Sequence, residues 1–308
     1  MDLTSFLLYL YAESPLHPGA ATGDGALDLP IQRESATNYP LMWGQSLKGA
    51  LRQAARESGW ESEHEIQVFG SEVGHEEEGD SNGETTPGRL AVGDAQLVAL
   101  PVPTLRRSFA WATSTLALSR LARKYAIIGR ADAAPEPPAP EDSEGMAGAH
   151  VWGGTMQEVL GPCLVHLTAP PGGGQQPPNA VARWAELLAD DAVGDAAHMA
   201  TFTRKLREDL LVVGADTMTT LLRECTEFAV RVQLETEAKK VRNGPFTSEY
   251  LPAETILAAV VTLREKPASA NTARLRALLD GALLRVGGDE TIGKGMAWTR
   301  IIDGGGRG

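Results

Sequence analysis

Apolar positions along the first third of the chain predict alternating strands and helices. Residues 4–12, TSFLLYLYA, are rich in large apolar side chains and predict a buried strand. Residues 46–56 carry apolar side chains at positions i, i+3, i+4, i+7 and i+8, which predicts an amphipathic helix with Ser46 as N-cap. Residues 89–100 predict a strand, and residues 108–124 predict a mostly buried helix.

The last third of the chain continues this alternation. Residues 227–235 alternate as a strand does, 239–245 predict a basic hairpin tip with the turn signal Asn-Gly, and 254–264 predict the returning element. A helix is predicted over 271–285 and a short strand over 297–302. Strands and helices separated by long polar stretches indicate an α+β fold rather than a regular βαβ array.

Two acidic segments carry most of the net charge of −12. Residues 71–88 contain six acids and residues 131–149 contain five, and neither segment contains Lys or Arg, so the rest of the chain is near neutral, at −1. This balance allows a local basic surface. We predict a solvated acidic insertion at 71–88, a disordered Pro-rich loop at 131–149, a Pro/Gly-rich break at 169–180 and a flexible tail at 304–308.

The two cysteines, Cys163 and Cys225, are too few for a disulfide framework and fit a reducing cytosol. No apolar run approaches the length of a membrane span. The sequence therefore predicts a soluble cytoplasmic protein without a membrane partner. Its 308 residues suffice for one elaborated domain or two small ones.

Residues 288–295, GDETIGKG, follow the G-x-x-x-x-G-K spacing of a nucleotide-binding loop and then depart from it. Gly295 stands where a Ser or Thr hydroxyl would bind magnesium. A strand rather than a helix is predicted next, so no helix N-terminus would face the phosphates. Three interpretations of this loop remain: a plain turn, a Gly-rich loop that an RNA backbone approaches closely, and an NTPase site. A nucleotide-binding titration tests the NTPase interpretation.

The segment 14–52 combines a His, two Asp, several Gly and three basic residues in a loop that leads into the predicted helix. Function often lies on such loops. Lys48, Arg52 and Arg56 are spaced by four and lie opposite the apolar face, where charge alone indicates a solvated surface. Spacing alone assigns no role to His17 or Asp28, and the chain has no C-x-x-C or H-E-x-x-H metal motif.

Six motifs follow one another along nearly the whole chain: SPLHPG at 14–19, LDLPIQRE at 27–34, WGQSLKGALR at 43–52, TLRRSFAWATSTLAL at 104–118, EYLPAETIL at 249–257 and GGDETIGKG at 287–295. In this order they resemble the backbone subunit of the type III-B CRISPR–Cas effector, the Cmr complex, within the RAMP superfamily. LPIQRE followed by SLKG is specific to this subunit. The resemblance identifies 1–308 as a single RAMP domain.

This resemblance implies a ferredoxin-like core of the RRM type, with a β-hairpin thumb at 227–264 and helical or disordered insertions. It implies several copies stacked along one guide RNA in a helical filament with other Cmr-complex subunits. It also implies a metal-dependent endoribonuclease, with Mg²⁺ or Mn²⁺, that cuts the paired target RNA at regular intervals, once per copy.

The site residues follow from the same resemblance. The family's catalytic Asp corresponds to Asp28, which is also the expected metal ligand, and His17 lies in a loop close to it. Glu249 and Tyr250 lie on the thumb side of the cut; the family often has two adjacent acids here, and this chain has Ser248-Glu249. The expected RNA-binding residues are Ser46, Lys48, Arg52, Arg56, Gly288, Gly293, Lys294, Lys240 and Arg242, with phosphate attracted to the helix that begins at SLKG.

RNA supplies its own nucleophile, the 2′-OH, so a protein can cut it by aligning that hydroxyl with the phosphorus and stabilising developing charge. A free Asp, with a pKa of about 3.9, is a weak base for a hydroxyl. Asp28 is therefore expected to hold a cation or orient the 2′-OH. The alternative is a binding-only backbone subunit of the same fold, which a cleavage assay on paired RNA would distinguish.

Overall fold

A central β-sheet covered by helices on both faces forms the core of the protein in a computed structural model, which describes residues 3–20, 27–71, 86–153, 156–170, 177–234 and 241–305. The strands are β1 (Thr4–Ala12), β2 (Leu41–Met42), β3 (Leu90–Val92), β4 (Ala95–Thr104), β5 (Ser108–Ser114), β6 (Glu144–Ala147), β7 (Met156–Leu160), β8 (Cys163–Thr168), β9 (Leu210–Val213), β10 (Glu227–Leu234), β11 (Val241–Tyr250), β12 (Ile256–Leu263), β13 (Leu283–Arg285) and β14 (Met296–Asp303).

The helices are α1 (Gly44–Glu57), α2 (Ser62–Phe69), α3 (Thr115–Ile127), α4 (Ala180–Leu188), α5 (Ala200–Asp209), α6 (Ala215–Glu224) and α7 (Ala270–Leu279). Short 3₁₀ turns span Ala131–Ala133, His150–Trp152 and Glu290–Ile292, and a π turn spans Ala189–Val193. This mixture confirms the predicted α+β class. Within the described ranges, none of the helices has the length and apolar character needed to cross a membrane.

Alternate residues of β1 enter two separate hydrophobic clusters. Phe6 and Leu8 belong to the cluster that includes α1 and α7, whereas Leu7 and Tyr9 belong to the one that includes α3 and α4. Successive side chains of a strand point to opposite faces of the sheet. The continuous apolar run at 4–12 thus produces a central strand that helices cover on both sides, as the sequence predicts.

The middle of the sheet has the strand order β14-β1-β12-β4, and each neighbouring pair is antiparallel. In sequence, α1 lies between β1 and β4, and α7 lies between β12 and β14. These elements are therefore connected as β-α-β-β-α-β. A long insertion between β4 and β12 extends the sheet through β5, β9, β6, β8 and β7, and also supplies α3 to α6.

The prediction of one helix over 108–124 is wrong for its first half. Residues Ser108–Ser114 form β5, which pairs with β4 and, in parallel, with β9. α3 begins only at Thr115, where the Ser114 side chain accepts a hydrogen bond from the Ala117 N–H at 3.2 Å. Most of β5 is buried, and a short buried apolar run has no periodicity that distinguishes a strand from a helix.

Two other predicted elements each correspond to two elements of the structure. The strand predicted at 89–100 is divided into β3 and β4, and the helix predicted at 271–285 ends at Leu279 before β13. Gly281 lies in the interruption with a φ of +70°, a conformation that glycine adopts more readily than other residues. β13 then joins the edge of the sheet beside β14.

The Pro-rich segment 131–149 has regular structure, contrary to the prediction of disorder. It contributes β6, which lies between β8 and β9 in the sheet. Thr115 Oγ1 donates to Pro138 O at 2.7 Å, and Trp184 Nε1 donates to Glu136 O at 3.3 Å. Proline removes backbone donors but keeps every carbonyl acceptor, so side-chain donors from α3 and α4 anchor the segment.

Deleting 131–149 is therefore expected to unfold the protein, because the deletion removes β6 from between two strands. The loss is comparable to the whole stability of a domain, about 5–15 kcal/mol. Replacing 73–84, within the acidic insertion, by a short Gly-Ser linker is the control and is expected to leave the melting temperature nearly unchanged. Circular dichroism melts measure both, and a cooperative, wild-type melt of the 131–149 deletion would contradict the assignment of β6.

Four predicted features lie partly outside the described residues. The structure does not describe residues 72–85 of the acidic insertion at 71–88, residues 171–176 of the break at 169–180, residues 239–240 of the hairpin tip at 239–245, or residues 306–308 of the tail at 304–308. At the base of the acidic insertion, the Ser71 N–H donates to Thr86 O at 2.9 Å. The chain therefore leaves and rejoins the described structure at one point, which is the geometry of an insertion.

The strands β10 and β11 form a two-stranded hairpin separate from the main sheet. β10 confirms the strand predicted at 227–235, but the returning strand is β11, whereas most of 254–264 forms β12 in the central sheet. The predicted Asn-Gly turn is also wrong, since Asn243 pairs with Gln233 inside the hairpin where the register shifts. The Asn-Gly pair predicted the wrong turn position because it reflects only local residues, whereas the register of a hairpin depends on the residues of both strands.

Candidate active site

Asp28 lies on an exposed segment that runs alongside β11. Leu29 forms a parallel bridge with Ser248: the Leu29 N–H donates to Thr247 O at 3.0 Å, and the Glu249 N–H donates to Leu29 O at 2.9 Å. The Thr247 N–H donates to Asp28 Oδ2 at 2.8 Å. The segment thus pairs with β11 at a single residue, and one carboxylate oxygen is fixed while the side chain stays exposed.

His17 is buried beside the end of β11, with 8% of its surface exposed. Its Nδ1 lies 2.7 Å from Glu249 O, and because a carbonyl only accepts, Nδ1 carries a proton. The His17 and Tyr250 ring centres are 5.4 Å apart. A Cβ on Gly19 would lie 3.0 Å from Nε2, and one on Gly288 would lie 3.3 Å from Cδ2. Gly288 therefore packs against His17, and its contact with RNA stays a prediction.

The Glu249 carboxylate points into the protein and is 3% exposed as a residue. Its Oε2 accepts the Ile31 N–H at 3.1 Å, and its Oε1 accepts a hydrogen bond from Arg33 at 2.5 Å. Both bonds hold the segment that carries Asp28. The predicted catalytic residue Glu249 is thus placed where it supports that segment, without an open face toward solvent.

Asp289 connects the Gly-rich loop to the hairpin. Arg231 Nη1 and the Tyr250 hydroxyl donate to its two oxygens at 2.9 and 2.7 Å. Partial burial alone would raise the pKa of Asp289, but these two hydrogen bonds and the charges of Arg231 and His17 lower it below its ordinary value. Burial and the bond to Asp289 raise the pKa of Tyr250, which therefore acts as a neutral donor. Lys294 Nζ lies 5.2 Å from the centre of the Tyr250 ring.

We expect acid to loosen the base of the hairpin at Asp289. Because its pKa is lower in the folded protein, the stabilisation is fully present above the unfolded-state pKa of about 3.9 and is lost as the pH falls through the folded value. Hydrogen exchange should show loss of protection of β11 amides in that range. In Asp289→Asn, the β11 amides should be less protected at neutral pH, and their protection should no longer fall in the acid range. An unchanged pH dependence in the variant would contradict the role of Asp289.

Helix α1 begins at Gly44, so the prediction of Ser46 as N-cap is wrong. Trp43 occupies the N-cap position and makes no capping hydrogen bond with its side chain. Instead, Asp94 Oδ1 accepts the Gly44 N–H at 2.7 Å. The helix end predicted to attract an RNA phosphate thus already carries a negative charge, which a phosphate would meet as repulsion.

Arg52 and Arg56 connect α1 to α2 through the buried Glu65. Arg56 donates to the two Glu65 oxygens at 2.9 and 2.6 Å. Arg52 Nε lies 3.6 Å from Glu65 Oε1, and its Nη2 donates to Gly70 O at 2.7 Å. Lys48 is half-buried on the same helix, and burial and the charge of Arg52 lower its pKa. Arg52 and Arg56 therefore have a structural role in joining the two helices. The RNA contacts of Lys48, Arg52 and Arg56 stay predictions.

The other predicted RNA-binding residues are spread over α1, the Gly-rich loop and the hairpin. Ser46, Gly293 and Arg242 are exposed, Lys294 is half-buried, and Lys240 lies outside the described residues. Sequence reasoning missed Asp289, Arg231 and Arg33. Asp289 lies in the motif GGDETIGKG and Arg33 lies in LDLPIQRE. Their position as charged residues inside family motifs could have indicated a role at the site.

Among the residues that the structure describes, a divalent cation at Asp28 would find one unpaired carboxylate, that of Asp28 itself. No three His, Cys, Asp or Glu side chains cluster as a metal site within the ranges that the structure describes. Glu249 and Asp289, the neighbouring acids, are paired with Arg33 and Arg231. These residues fit a cation that takes most of its ligands from RNA and water, as Mg²⁺ does when it is held by one or two carboxylates and a phosphate.

The chain belongs to the RAMP superfamily, whose family model matches residues 9–297. A curated relative, the CRISPR system Cmr endoribonuclease Cmr4 of Pyrococcus furiosus, is 27% identical over 301 residues, which cover 96% of this chain and 94% of that protein. The crystal structure of oligomeric Cmr4 from Pyrococcus furiosus matches with a TM-score of 0.70 at 23% identity, over 98% of this chain and 99% of that one. A chain of the type III-B Cmr-beta complex bound to cognate target RNA, solved by cryo-EM, matches with a TM-score of 0.67 at 20% identity, over 98% and 97%.

Proposed function

We propose that this protein is the repeated backbone subunit of a type III-B CRISPR effector, which binds a guide RNA and cuts the complementary target RNA. The observation that carries the proposal is Asp28: an exposed carboxylate fixed against the hairpin, in the motif LDLPIQRE, while the neighbouring Glu249 and Asp289 are ion-paired. The curated relative aligned over nearly the whole chain is named an endoribonuclease, which supports the same activity here.

The strand order of the central sheet supports a ferredoxin-like core of the RRM type. A β-α-β-β-α-β connection with the order β14-β1-β12-β4 is the arrangement of that fold. The first and last strands of the unit, β1 and β14, lie side by side near the two ends of the chain. We therefore take residues 1–308 as one RAMP domain in which β10 and β11 form the thumb.

The chemistry assigned to Asp28 is to orient the RNA 2′-OH in line with the scissile phosphorus. Oδ2 is held by the Thr247 N–H, and Oδ1 has no partner among the described residues, so it is the oxygen that meets RNA. His17, Glu249 and Tyr250 are buried, and we assign them to positioning the end of β11. The 2′-oxygen bonds to the phosphorus as its proton passes to water, and the bond from phosphorus to the 5′-oxygen of the next nucleotide breaks. That oxygen takes a proton from water, and the other product ends in a 2′,3′-cyclic phosphate.

The proposed cofactor is Mg²⁺ or Mn²⁺, with Asp28 as its carboxylate ligand from the described part of this chain. Such a cation would neutralise charge that develops on the phosphate. Cutting by the assembled complex should then stop in excess EDTA and return with added Mg²⁺ or Mn²⁺. Undiminished cutting in EDTA would remove the cation from the proposal and leave Asp28 to act by orientation alone.

An apolar strip on the thumb supports assembly with further protein subunits. Phe228, Val230 and Val232 alternate along β10 and are 51%, 68% and 45% exposed, so they share one face. Exposed apolar strips typically mark contacts with other proteins rather than with phosphate. We propose a filament of several copies on one guide RNA with other Cmr-complex subunits, in the cytoplasm.

Co-expression tests the proposal as a whole. The chain would be purified with its neighbouring effector subunits, the bound RNA sequenced, and the complex given complementary and unrelated RNA. Short repeat-derived RNA and cutting of only the complementary strand are expected. Bound guide without cutting would favour the binding-only subunit, and absence of RNA would refute both. The NTPase alternative is disfavoured because the strand β14 follows the Gly-rich loop.

Lys48→Ala is expected to weaken guide binding equally for all guide sequences, because a phosphate contact carries no sequence information. The slope of log affinity against log salt should become shallower by about 0.7, the value for one phosphate contact on a single strand. Lys266→Ala, at an exposed position after β12, is the control and should keep the slope. Filter binding at several salt concentrations measures both, and equal slopes for Lys48→Ala and wild type would assign Lys48 to a solvated surface.

A further inference from the structure

The side chain of Arg33 connects three parts of the chain behind Asp28. Its Nη2 donates to Glu249 Oε1 at 2.5 Å and to Leu222 O at 3.0 Å, and its Nη1 donates to Asn38 O at 3.1 Å. Glu249 belongs to β11, Leu222 to the last turn of α6, and Asn38 to the turn that follows the Asp28 segment. One guanidinium therefore joins the hairpin, an insertion helix and the loop.

The Asp28 segment has two attachments to β11, and Arg33 supplies the second. The first is the backbone bridge between Leu29 and Ser248, together with the adjoining hydrogen bond from the Thr247 N–H to Asp28. The second is the Glu249 carboxylate, which binds the Ile31 N–H and Arg33. With both attachments the segment cannot rotate about either one, so the direction of the Asp28 carboxylate is fixed relative to the hairpin.

Burial makes the second attachment depend on the ion pair. The side chains of Arg33 and Glu249 are 17% and 4% exposed, and a charge this deep is costly without its partner. The planar guanidinium has five N–H groups in a fixed fork, which suits three acceptors from different directions. A lysine at this position would supply the charge but not this geometry.

We infer that Arg33 is a positioning residue for RNA cutting, which sets where the Asp28 carboxylate meets the RNA by fixing the segment 28–33 to β11 and α6. This inference rests on the proposed function. A displacement of about 1 Å of a catalytic group costs about 10²-fold in rate, so the attachment matters although the Arg33 guanidinium is bonded to protein acceptors.

The chain contains a matched ion pair that anchors the same loop elsewhere. Arg120 in α3 donates to Glu34 at 2.7 Å, and these side chains are 13% and 18% exposed. Glu34 is the residue directly after Arg33, but its partner lies on α3, away from β11. Breaking this pair removes a comparable interaction from the loop and leaves both attachments of the Asp28 segment intact.

The test compares Arg33→Met, Glu249→Gln, Arg33→Lys and Arg120→Met in the assembled effector. We expect Arg33→Met and Glu249→Gln to lower the single-turnover cutting rate about 10²-fold while target affinity stays within about twofold. Arg33→Lys should be intermediate, and Arg120→Met should cut at nearly the wild-type rate although its melting temperature also falls. Hydrogen exchange at the Thr247 amide, which donates to Asp28, should be faster in Arg33→Met than in Arg120→Met.

Wild-type cutting by Arg33→Met, or an equal loss of rate in Arg120→Met, would overturn the inference. So would unchanged exchange at Thr247 in Arg33→Met. The exchange measurement does not depend on cutting. A wild-type complex that binds guide and fails to cut would therefore refute the proposed activity, while the exchange data would still decide whether Arg33 fixes the segment.

Discussion

Replacing Asp28 with Asn is expected to lower the cutting of guide-paired RNA by about 10³-fold, within the range for loss of one group that stabilises charge in the transition state. Asparagine keeps an oxygen that can accept the Thr247 N–H, so the segment should stay against β11. The substitution removes the negative charge and replaces the other oxygen, which orients the 2′-OH or holds a cation, with an NH₂ group. Guide binding and assembly should be unchanged, since Asp28 is exposed and carries no core contact.

Single-turnover cleavage of labelled target by the assembled complex measures this effect. Asp132→Asn is the control, because Asp132 is an exposed Asp in a short 3₁₀ turn of the insertion, outside the hairpin and the Asp28 segment. It should cut at the wild-type rate. Full-rate cutting by Asp28→Asn would remove this residue from the mechanism.

Shortening the thumb is expected to suppress cutting by about 10²-fold while the fold is retained. Arg231 and Phe246 face each other across the hairpin, so a two-residue Gly-Ser turn can replace 232–245 between them. The removed part of β11 is exposed, so little packing is lost. The Arg231–Asp289 and Thr247–Asp28 contacts remain. What is lost is the arm, which we propose bends the target linkage toward in-line geometry.

Arg242→Ala separates the arm from its charge, since it keeps the hairpin and removes one exposed cation from β11. It should reduce cutting far less than the shortened hairpin does. Guide binding should weaken only modestly in both variants. A shortened protein that assembles and cuts at the same positions and rate would show that the thumb has no part in the reaction.

The sequence could predict the elements whose pattern is local. The apolar run at 4–12 and the amphipathic pattern at 46–56 each specify their element without help from distant residues. The prediction for 108–114 failed because a mostly buried strand has no polar face, so its sequence shows no alternation of polar and apolar residues. The segment 131–149 failed because its composition does not reveal that α3 and α4 supply donors for its carbonyls.

The site shows the same division. Family motifs pointed to Asp28 and to the end of β11, which the fold brings together at the hairpin. The ion pairs that define their surroundings join residues far apart in sequence: Arg33 with Glu249, and Arg231 with Asp289, are separated by 216 and 58 positions. A helical spacing of four placed Arg52 and Arg56 on one face, but only the packing of α2 shows that both reach Glu65.

The central claim, that each copy makes its own cut with its own Asp28, is tested most directly by effectors assembled from wild-type and Asp28→Asn subunits in known proportions. We predict that complementary RNA is cut at regular intervals, that every cut weakens in proportion to the fraction of variant subunits, and that the spacing does not change. Cuts that persist at full rate when every subunit carries Asp28→Asn would contradict the claim.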